Sequence, residues 1–313
     1  MSAWKEFRRG KRKKTDVLEF EFNLEDNLFA LHQELIDKTY QPEYYTAFLV
    51  HDPKLRLIHK ATVRDRVLHQ AVFRVLYPIF DKNFIFDSYS CRVEKGTHRG
   101  VTRLENFARK VSQNHRVPAY ALKCDVKKFF ASIDQNILLG LIEQKVIEPN
   151  VIWLIKLIIK SYETISDIGL PLGNVTSQLF ANIYLNELDQ FVKHELKQKY
   201  YLRYCDDFII LDQDREKLEN LIVKLEEFLA QKLNLTLHPD KITIRKTNQG
   251  IDFLGYVALP YYRVLRTRTK NRILRKIRKS KISEASRQAY LGILEHCYGY
   301  KVAEQIKLLK TAK

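Results

Sequence analysis

The sequence contains little of what would suggest a disulfide-bonded, zinc-stabilised or multi-domain tethered protein. It has four cysteines, ten glycines and eight prolines among 313 residues. The cysteines form no CxxC pair and have no histidine spacing that could build a zinc site, so we expect reduced thiols. No Gly/Ser/Pro-rich linker and no internal repeat divides the chain, which predicts lobes of one continuously packed body.

Long apolar runs are also absent. The most apolar stretch, residues 151–159, is short and is interrupted by Lys156, whereas a membrane-spanning helix needs about 20 apolar residues. The basic residues within 1–14 are not followed by the apolar segment of a signal peptide. We therefore expect a cytoplasmic protein with no membrane partner.

Acidic residues are scarce relative to basic ones. The chain has 54 Lys and Arg against 37 Asp and Glu, a formal net charge of +17. Lys and Arg that neutralise phosphates release condensed counterions, so this charge favours nucleic acid as the partner. An anionic membrane surface would attract the same charge. The basic cluster within residues 8–14 fits either a solvated arm or a phosphate contact.

Hydrophobic periodicity predicts the main elements of an α+β fold. Apolar residues three and four apart predict helices over 62–80, 175–196 and 217–233. Apolar and β-branched runs predict a buried strand around 122–125, a hairpin over 201–211, and strands over 241–245 and 251–259. This order indicates an antiparallel sheet with helices on one face, followed by a helical C-terminal region.

Three aspartates stand at the ends of these predicted strands. Asp125 ends the buried strand, and Asp206 and Asp207 occupy the tip of the hairpin together with Cys205. Nucleotidyl transfer uses two divalent ions about 3.5–4 Å apart, which requires converging carboxylates. Mg²⁺ prefers such oxygen ligands. An Asp pair in a turn is also ordinary turn chemistry, so the neighbouring motifs must decide.

Five motifs follow one another along the chain: KCDVKKFF, LPLGNVTSQ, YCDD, HPDKITI and FLGY. In this order they resemble the reverse transcriptases over residues 54–256. The resemblance implies a right-hand polymerase fold with fingers, palm and a short helical thumb. Its expected segments are an N-terminal arm and fingers (1–100), palm (101–133), fingers (134–172), palm with the YCDD hairpin (173–257) and a basic helical thumb (258–313).

The resemblance also implies the roles of individual residues. Asp125, Asp206 and Asp207 are the expected ligands of two Mg²⁺ ions, with Mn²⁺ as a substitute in vitro. Lys241 falls where the family has a lysine near the leaving pyrophosphate, which makes it a candidate general acid. Phe130 matches the aromatic gate that collides with a ribose 2′-hydroxyl. We expect one of Phe129 and Phe130, and not both, to be a core residue.

Further positions are expected to hold the nucleotide and the primer-template. The dNTP-binding candidates are Lys54, Arg56, Phe130, Leu172, Gly173 and Gln178. The template and primer candidates are Arg64, Arg92, Gly96, Phe253, Leu254, Gly255, Tyr256, Arg268, Arg272 and Arg275. The last three belong to a stretch, residues 263–281, with ten Lys and Arg and no acid, as expected of a helix on a nucleic-acid backbone.

The LPLGNVTSQ motif departs from the usual family form. An aliphatic Leu172 before Gly173 and a Gln178 after the serine resemble the enzymes of diversity-generating retroelements, whose cDNA carries errors at template adenines. This likeness implies a template RNA, a cDNA primer end, dNTPs and a small basic accessory variability protein as partners, and it leaves open whether that protein is oligomeric. Looser checking of the incoming base is a physically reasonable hypothesis for such a replacement.

Two alternatives remain open at this point. A group II intron-like or host-defence reverse transcriptase of ordinary fidelity would share the metal site and differ chiefly at Leu172 and Gln178. A non-catalytic RNA-binding protein could keep the fold, although the acids, Phe130, Lys54 and Arg56 are all present. An RNA-dependent RNA polymerase is disfavoured by the aromatic gate and by Tyr-Cys before the acids.

Overall fold

The computed structural model describes residues 1–51, 55–279 and 283–308. The chain divides into two compact units. The first unit comprises Met1–Phe86, Val126–Phe191 and Glu226–Leu237, and the second comprises Asp87–Asp125, Val192–Leu225 and His238–Lys313. Each unit is therefore built from three separate stretches of chain.

Helices account for most of the regular structure in the described residues. The α-helices are α1 (Ser2–Phe7), α2 (Thr15–Phe22), α3 (Leu24–Ile36), α4 (Val63–Asp81), α5 (Thr97–Val111), α6 (Phe129–Ser132), α7 (Gln135–Glu143), α8 (Pro149–Lys160), α9 (Val175–Gln190), α10 (Arg215–Leu233), α11 (Thr267–Lys279), α12 (Glu284–Leu294) and α13 (Tyr300–Lys307). A π-helical turn (Phe191–Glu195) continues α9, and 3₁₀ turns cover Pro239–Lys241 and Thr247–Gln249.

The strands of the described residues form three antiparallel sheets. The strands are β1 (Thr46–Val50), β2 (Arg56–Lys60), β3 (Tyr120–Asp125), β4 (Tyr201–Tyr204), β5 (Asp207–Asp212), β6 (Thr243–Lys246), β7 (Ile251–Phe253), β8 (Tyr256–Ala258) and β9 (Arg263–Leu265). The sheet orders are β1-β2, β4-β5-β3-β6 and β7-β8-β9.

The first unit is helical apart from the β1-β2 hairpin. Its long helix α4 begins at Thr62, whose hydroxyl accepts from the Asp65 backbone N–H at 3.3 Å, and carries Pro78 in its last turns. The helix packs against α1 and α9. The buried apolar face of α4 recurs every three to four residues, which is the pattern that predicts the helix: Val63, Val67, Leu68, Val72, Leu76 and Phe80.

The second unit holds the two larger sheets. In the four-stranded sheet, β3 lies between β5 and β6, so β3 is flanked by antiparallel strands on both sides. Helix α5 contacts β4, β5 and β8 through its apolar side. The shared core includes side chains from this helix and from the strands: Val101, Leu104, Ala108, Ala121, Leu202, Ile209, Leu211, Phe253 and Tyr256. This core fixes the strand ends on which the candidate site stands.

The α+β prediction is confirmed, and two local predictions are corrected. Lys241 ends a 3₁₀ turn, in which its backbone N–H donates to the His238 carbonyl at 2.9 Å, so β6 begins only at Thr243. The predicted strand over 251–259 is two strands, because Leu254 and Gly255 have φ of 51° and 89° and reverse the chain.

The predicted division into fingers, palm and thumb segments stays a prediction. The compact units cut the chain at other positions, for example between Asp125 and Val126. Cys91, Cys124, Cys205 and Cys297 are free thiols. Within the described residues, the helices lack the length and apolarity needed to cross a bilayer.

Candidate active site

The register of the four-stranded sheet brings Asp125 and the YCDD hairpin together. Asp125, the last residue of β3, is the Cα partner of Asp207, the first residue of β5. In the hairpin, Tyr204 is the partner of Asp207, so Cys205 and Asp206 form a tight turn. Because β3 and β5 are antiparallel neighbours, the end of one strand meets the start of the other. The three predicted acids therefore share one end of the sheet.

A fully buried arginine supports this turn. Arg203 is 0% exposed and donates from Nη1 to the Cys205 carbonyl at 3.0 Å and from Nη2 to Ser88 Oγ at 3.2 Å. Cys205 has φ of 55°, a left-handed conformation that is unfavourable for a residue other than glycine. A charged hydrogen bond to its carbonyl stabilises that conformation.

Two lysines form ion pairs with Asp125 and Asp207. Lys241 Nζ lies 2.6 Å from Asp125 Oδ1. Lys123 Nζ lies 3.1 Å from Asp207 Oδ2 and also donates to the Asp252 carbonyl at 2.8 Å. Lys123 precedes Asp125 by two residues on one strand, so both side chains point to the same face of the sheet. Lysines thus balance part of the negative charge at this site.

The acids carry the electrostatic marks of crowded carboxylates. Burial raises the pKa of Asp207 to about 6; Lys123 opposes that shift, and the charges of Asp125 and Asp206 add to it. Burial raises the pKa of Asp206 as well, and repulsion from Asp125 adds to it. Each cause disfavours the ionised form. Such a group of acids would be stabilised by added positive charge.

The residues fit divalent ions, although they do not form a ready-made coordination shell. Within the part of the chain that the structure describes, no three His, Cys, Asp or Glu side chains are arranged to hold a metal ion. Lys241 contacts one oxygen of Asp125, and Lys123 contacts one oxygen of Asp207. Asp207 Oδ1 is buried without a hydrogen-bond partner. The donor set consists of carboxylate oxygens alone, the ligands preferred by Mg²⁺.

The predicted primer-binding turn is partly a core element. Phe253 is 0% and Tyr256 3% exposed, and both rings belong to the core of the second unit. Their rings therefore pack in the core, and their assignment as primer contacts stays a prediction that concerns the backbone of this turn. Leu254 and Gly255 form the turn between β7 and β8, and their assignment stays a prediction. Lys123, at 5.8 Å from the Phe253 ring centre, links this hairpin to the acids.

Arg64 forms ion pairs with acids of the same unit. Its guanidinium pairs with Glu34, Glu43 and Asp65 and lies 4.7 Å from the Tyr40 ring centre. These internal ion pairs tie α4 to the preceding segment, and the assignment of Arg64 as a template contact stays a prediction. Sequence reasoning missed these ion pairs because the partners lie 21 to 30 residues earlier in the chain, except for adjacent Asp65.

Arg92 and Gly96 lie where a backbone could be approached. Gly96 precedes α5 with φ of 115°, and a Cβ built on it would meet nothing within 4 Å. The glycine is therefore required by its backbone conformation and leaves open space beside it. Arg92 donates to the Ser88 carbonyl at 3.1 Å. Their assignment as template contacts stays a prediction.

The nucleotide-binding candidates Phe130, Arg56 and Gln178, all in the first unit, are at least partly exposed to solvent. Phe129 is 2% exposed whereas Phe130 is partly exposed, which confirms that one of the two rings is core. Arg56 is exposed at the start of β2, and Lys54 lies outside the described residues. Gln178 is exposed in the first turn of α9.

Leu172 and Gly173 pack closely on β2. The Leu172 carbonyl accepts from the His59 N–H at 2.9 Å. Gly173 has φ of 128°, and a Cβ there would lie 3.0 Å from Ile58 Cγ2. A side chain at Gly173 would therefore strain both the backbone and this contact. The motif is thus held against the strand that begins at Arg56.

The basic C-terminal helix has the predicted amphipathic form. In α11, Ile273 and Ile277 are 1% and 7% exposed and pack in the core of the second unit. Arg268 and Arg275 are exposed and Arg272 is partly exposed. The polar face of α11 therefore presents cations to solvent, as a phosphate-binding helix requires. Contact with primer-template stays a prediction for all three.

Comparison with known proteins gives consistent sequence relatives. Protein YkfC of Escherichia coli (strain K12) is 24% identical over 272 residues, covering 73% of this chain and 70% of that protein. The group II intron-encoded protein LtrA of Lactococcus lactis subsp. cremoris is 25% identical over 305 residues, covering 74% of this chain and 49% of LtrA. The chain thus spans about half the length of the intron-encoded protein.

Solved structures of telomerase share the fold. Apo telomerase from Candida tropicalis, truncated from its C-terminal domain, matches with a TM-score of 0.52 at 15% identity, covering 76% of this chain and 59% of that one. Telomerase from Candida albicans in complex with a TWJ fragment of telomeric RNA matches with a TM-score of 0.52 at 11% identity, covering 73% and 49%. At these identities the likeness shows a right-hand polymerase fold.

The profile of one protein family matches most of the chain. The matched stretch, residues 50–258, contains Asp125, the YCDD hairpin and the turn at Leu254 and Gly255. It thus covers the whole four-stranded sheet on which the acids meet. The chain belongs to the reverse transcriptase (RNA-dependent DNA polymerase) family.

Proposed function

We propose that this chain catalyses RNA-directed DNA synthesis, joining dNTPs to a primer 3′-hydroxyl at the end of the four-stranded sheet. The observation that carries the proposal is the convergence of Asp125, Asp206 and Asp207 through the β3-β5 register. The family match over residues 50–258 supports the same chemistry.

Asp125, Asp206 and Asp207 would hold the divalent ions, two Mg²⁺ by our proposal. Bound there, the ions would supply activation of the attacking oxygen and neutralise charge on the triphosphate. The burial that raises the pKa values of Asp206 and Asp207 makes positive charge favourable beside them. Lys241 remains the candidate general acid, since its ammonium lies beside Asp125 and carries protons that the leaving pyrophosphate could accept.

Phe130 would select deoxyribonucleotides. Its ring is partly exposed, whereas the neighbouring Phe129 ring is buried in the core. The two ring centres are 5.4 Å apart. Packing against Phe129 limits the rotation of Phe130, because the two rings meet edge to face. A ring held in this way can exclude a 2′-hydroxyl by steric overlap, which gives DNA as the product.

Within this function we propose a diversity-generating role with errors opposite template adenine. The support is Leu172 before Gly173 and Gln178 in the first turn of α9. In this role the partners would be a template RNA, its cDNA and a small basic accessory protein, in the cytoplasm. The resemblance to LtrA over 74% of the chain favours a second candidate, an intron-like reverse transcriptase of ordinary fidelity.

Primer extension tests the activity. The purified chain would receive a DNA primer on an RNA template with Mg²⁺ and dNTPs, beside the double variant Asp206→Asn, Asp207→Asn. Asp240→Asn is the matched control, because Asp240 is an exposed acid in the turn that carries Lys241. We expect product from the wild type and the control and none from the double variant. Equal product from the double variant would refute the site.

Sequencing the products separates the two subtypes. Errors concentrated opposite template adenine support the diversity-generating role. Uniformly faithful cDNA leaves the polymerase proposal intact and assigns the chain to the intron-like alternative. If the wild type makes no product even with a candidate accessory protein and its RNA, the chain is an RNA-binding protein that keeps the polymerase fold.

A further inference from the structure

Three exposed tyrosines form a row on the second unit. Tyr261, Tyr262 and Tyr298 are 84%, 51% and 78% exposed. The Tyr262 and Tyr298 ring centres are 6.0 Å apart, and Tyr261 lies 5.2 Å from the His115 ring in an edge-on contact. The two ring pairs are joined in the chain, because Tyr261 and Tyr262 are consecutive residues. Exposed apolar area of this kind marks an interaction site more often than ordinary surface.

The row lies at the end of the sheets opposite the acids. Tyr261 and Tyr262 occupy the β8-β9 connection, closed by a 2.9 Å hydrogen bond from the Leu259 N–H to the Tyr262 carbonyl. The turn at Leu254 and Gly255 is at the other end of the same strands. His115 precedes β3, whose five steps from Tyr120 to Asp125 span roughly 17 Å. These rings are therefore remote from the candidate active site.

An unusual backbone holds the His115 ring against Tyr261. Gln113, Asn114 and His115 have φ of 51°, 59° and 65°, three consecutive left-handed residues without a glycine. The Ser112 hydroxyl accepts from the His115 N–H at 3.0 Å and stabilises this turn. Each left-handed residue is unfavourable for an L-amino acid. Strain of this kind is often found where a surface binds a ligand.

Two cations stand beside the row. Arg116 and Lys246 are exposed and line, with His115 and Asn248, a pocket of about 190 Å³. Within residues 1–51, 55–279 and 283–308, neither cation forms an ion pair with an acid. Unpaired cations next to exposed rings combine phosphate attraction with stacking surfaces, the two elements of single-stranded nucleic-acid binding.

We propose that this distal tyrosine surface, formed by Tyr261, Tyr262, Tyr298, His115, Arg116 and Lys246, binds single-stranded RNA of the template outside the active site. Bases would stack on the tyrosine rings and phosphates would contact the two cations. Single-stranded RNA fits because the faces of its bases are free to stack, whereas those in a duplex are covered. The inference rests on the proposed function, which supplies a template RNA.

Binding of two primer-templates tests the proposal. Both carry the same primer duplex; one RNA template has a single-stranded overhang of about 4 nucleotides and the other of about 25, longer than one aromatic site covers. The proteins are the wild type, the tyrosine variant Tyr261→Ser, Tyr298→Ser, and the charge variant Arg116→Gln, Lys246→Gln. Tyr44→Ser is the matched control, because Tyr44 is 97% exposed elsewhere.

We expect all proteins to bind the short template equally. The wild type and the Tyr44 control should bind the long template at least about tenfold more tightly than the tyrosine variant does, since each lost base stack weakens affinity. The charge variant should show a salt slope smaller by about 0.7 for each cation removed. Circular dichroism of each variant verifies that it is folded.

Other outcomes would overturn the proposal. An unchanged preference for the long template in the folded tyrosine variant means that the overhang binds elsewhere. A stronger response to a DNA overhang than to an RNA overhang contradicts the assignment to RNA. Failure of the wild type to bind or extend even the short template would count against the proposed function itself, which distinguishes the two failures.

Discussion

The buried guanidinium of Arg203 should be needed to position the catalytic turn. Replacing Arg203 with Met removes the donors to the Cys205 carbonyl and Ser88 Oγ and leaves both acceptors in a dry environment. Each hydrogen bond from a charged donor contributes about 1.5–3 kcal/mol, so losing the two should lower the free energy of unfolding by about 3–6 kcal/mol. Many domains have 5–15 kcal/mol in total, so the variant should fold marginally.

The catalytic consequence follows from the left-handed Cys205. Without the guanidinium, the turn that carries Asp206 can relax toward an ordinary conformation, which displaces the carboxylate. A displacement of about 1 Å at a reacting centre can reduce the rate about 100-fold. We expect kcat to fall by that order while KM for the dNTP changes little. Arg203→Lys keeps the charge but loses the paired donors, so its kcat should lie between those of the wild type and Arg203→Met.

Urea unfolding and single-turnover nucleotide incorporation measure the two effects separately. The rate is expressed per folded molecule, so instability alone cannot lower it. If Arg203→Met unfolds at lower urea but incorporates nucleotides at the wild-type rate, Arg203 stabilises the fold and does not position the acids. Unchanged stability would refute the whole argument about buried donors.

Three further perturbations test other parts of the structure. Lys123→Met should lower kcat and weaken primer-template binding, each by about tenfold, because the ammonium joins Asp207 to the β7-β8 hairpin; steady-state primer extension measures both. Phe130→Val should raise the use of ribonucleotides, measured as kcat/KM for CTP relative to dCTP, whereas Phe129→Val should mainly destabilise the core, by about 1–3 kcal/mol. His69 should make folding sensitive to acid, because burial lowers its pKa to about 4 in the folded chain, whereas its pKa in the unfolded chain is about 6.5. The contribution of neutral His69 to the free energy of unfolding is fully present above pH 6.5 and is lost as the pH falls, by about 2 kcal/mol at pH 5. Protonation of Asp207, whose pKa burial raises to about 6, favours the folded state over the same range. The test is therefore a difference: in urea unfolding between pH 7.5 and 5, the wild type should lose about 2 kcal/mol relative to His69→Leu.

Each of these has a control in the same chain. Lys127 is exposed, so Lys127→Met should leave kcat unchanged, and a comparable loss there would show that overall charge explains the Lys123 effect. His32→Leu, at an exposed histidine, is the control substitution for His69→Leu. Equal ribonucleotide use by the Phe129 and Phe130 variants would contradict the assignment of the gate.

Local patterns predicted the elements that position the acids. The apolar arms of residues 201–211 predicted the hairpin and placed the pair Asp206 and Asp207 at its tip; Asp206 lies in the turn, whereas Asp207 is the first residue of β5. The helices α4, α9 and α10 follow their apolar periodicity closely. These features depend on neighbours a few residues away, which a sequence displays directly. The Cα pairing of Asp125 with Asp207, in contrast, joins segments 82 residues apart. Motif order, rather than periodicity, predicted that these acids converge, and the sequence did not predict the register.

The partners of charged side chains could not be predicted in this way. Lys123 was visible two residues before Asp125, and the strand period places both on one face, but nothing local shows that Lys123 also reaches the Asp252 carbonyl. Likewise, the sequence did not predict β9 or the β1-β2 hairpin. These strands are three to five residues long, and pairing with a neighbouring strand, rather than an alternation of apolar and polar residues, defines them. Contacts of this kind depend on how the folded chain brings its segments together, which the local sequence does not display.

Arg64 and Arg203 show which signal distinguishes a structural arginine. Arg64 lies near the start of a helix among other charges, where ion pairing and phosphate binding predict the same residue type. Arg203 interrupts an apolar strand whose neighbours Leu202 and Tyr201 are fully buried, so its charge must be satisfied inside the protein. On a strand that directly precedes the YCDD turn, the hydrogen-bond acceptors nearest to a buried arginine belong to the turn itself. A buried cation in that place therefore indicates support of the turn, and the hydrogen bond to Cys205 agrees with this reasoning.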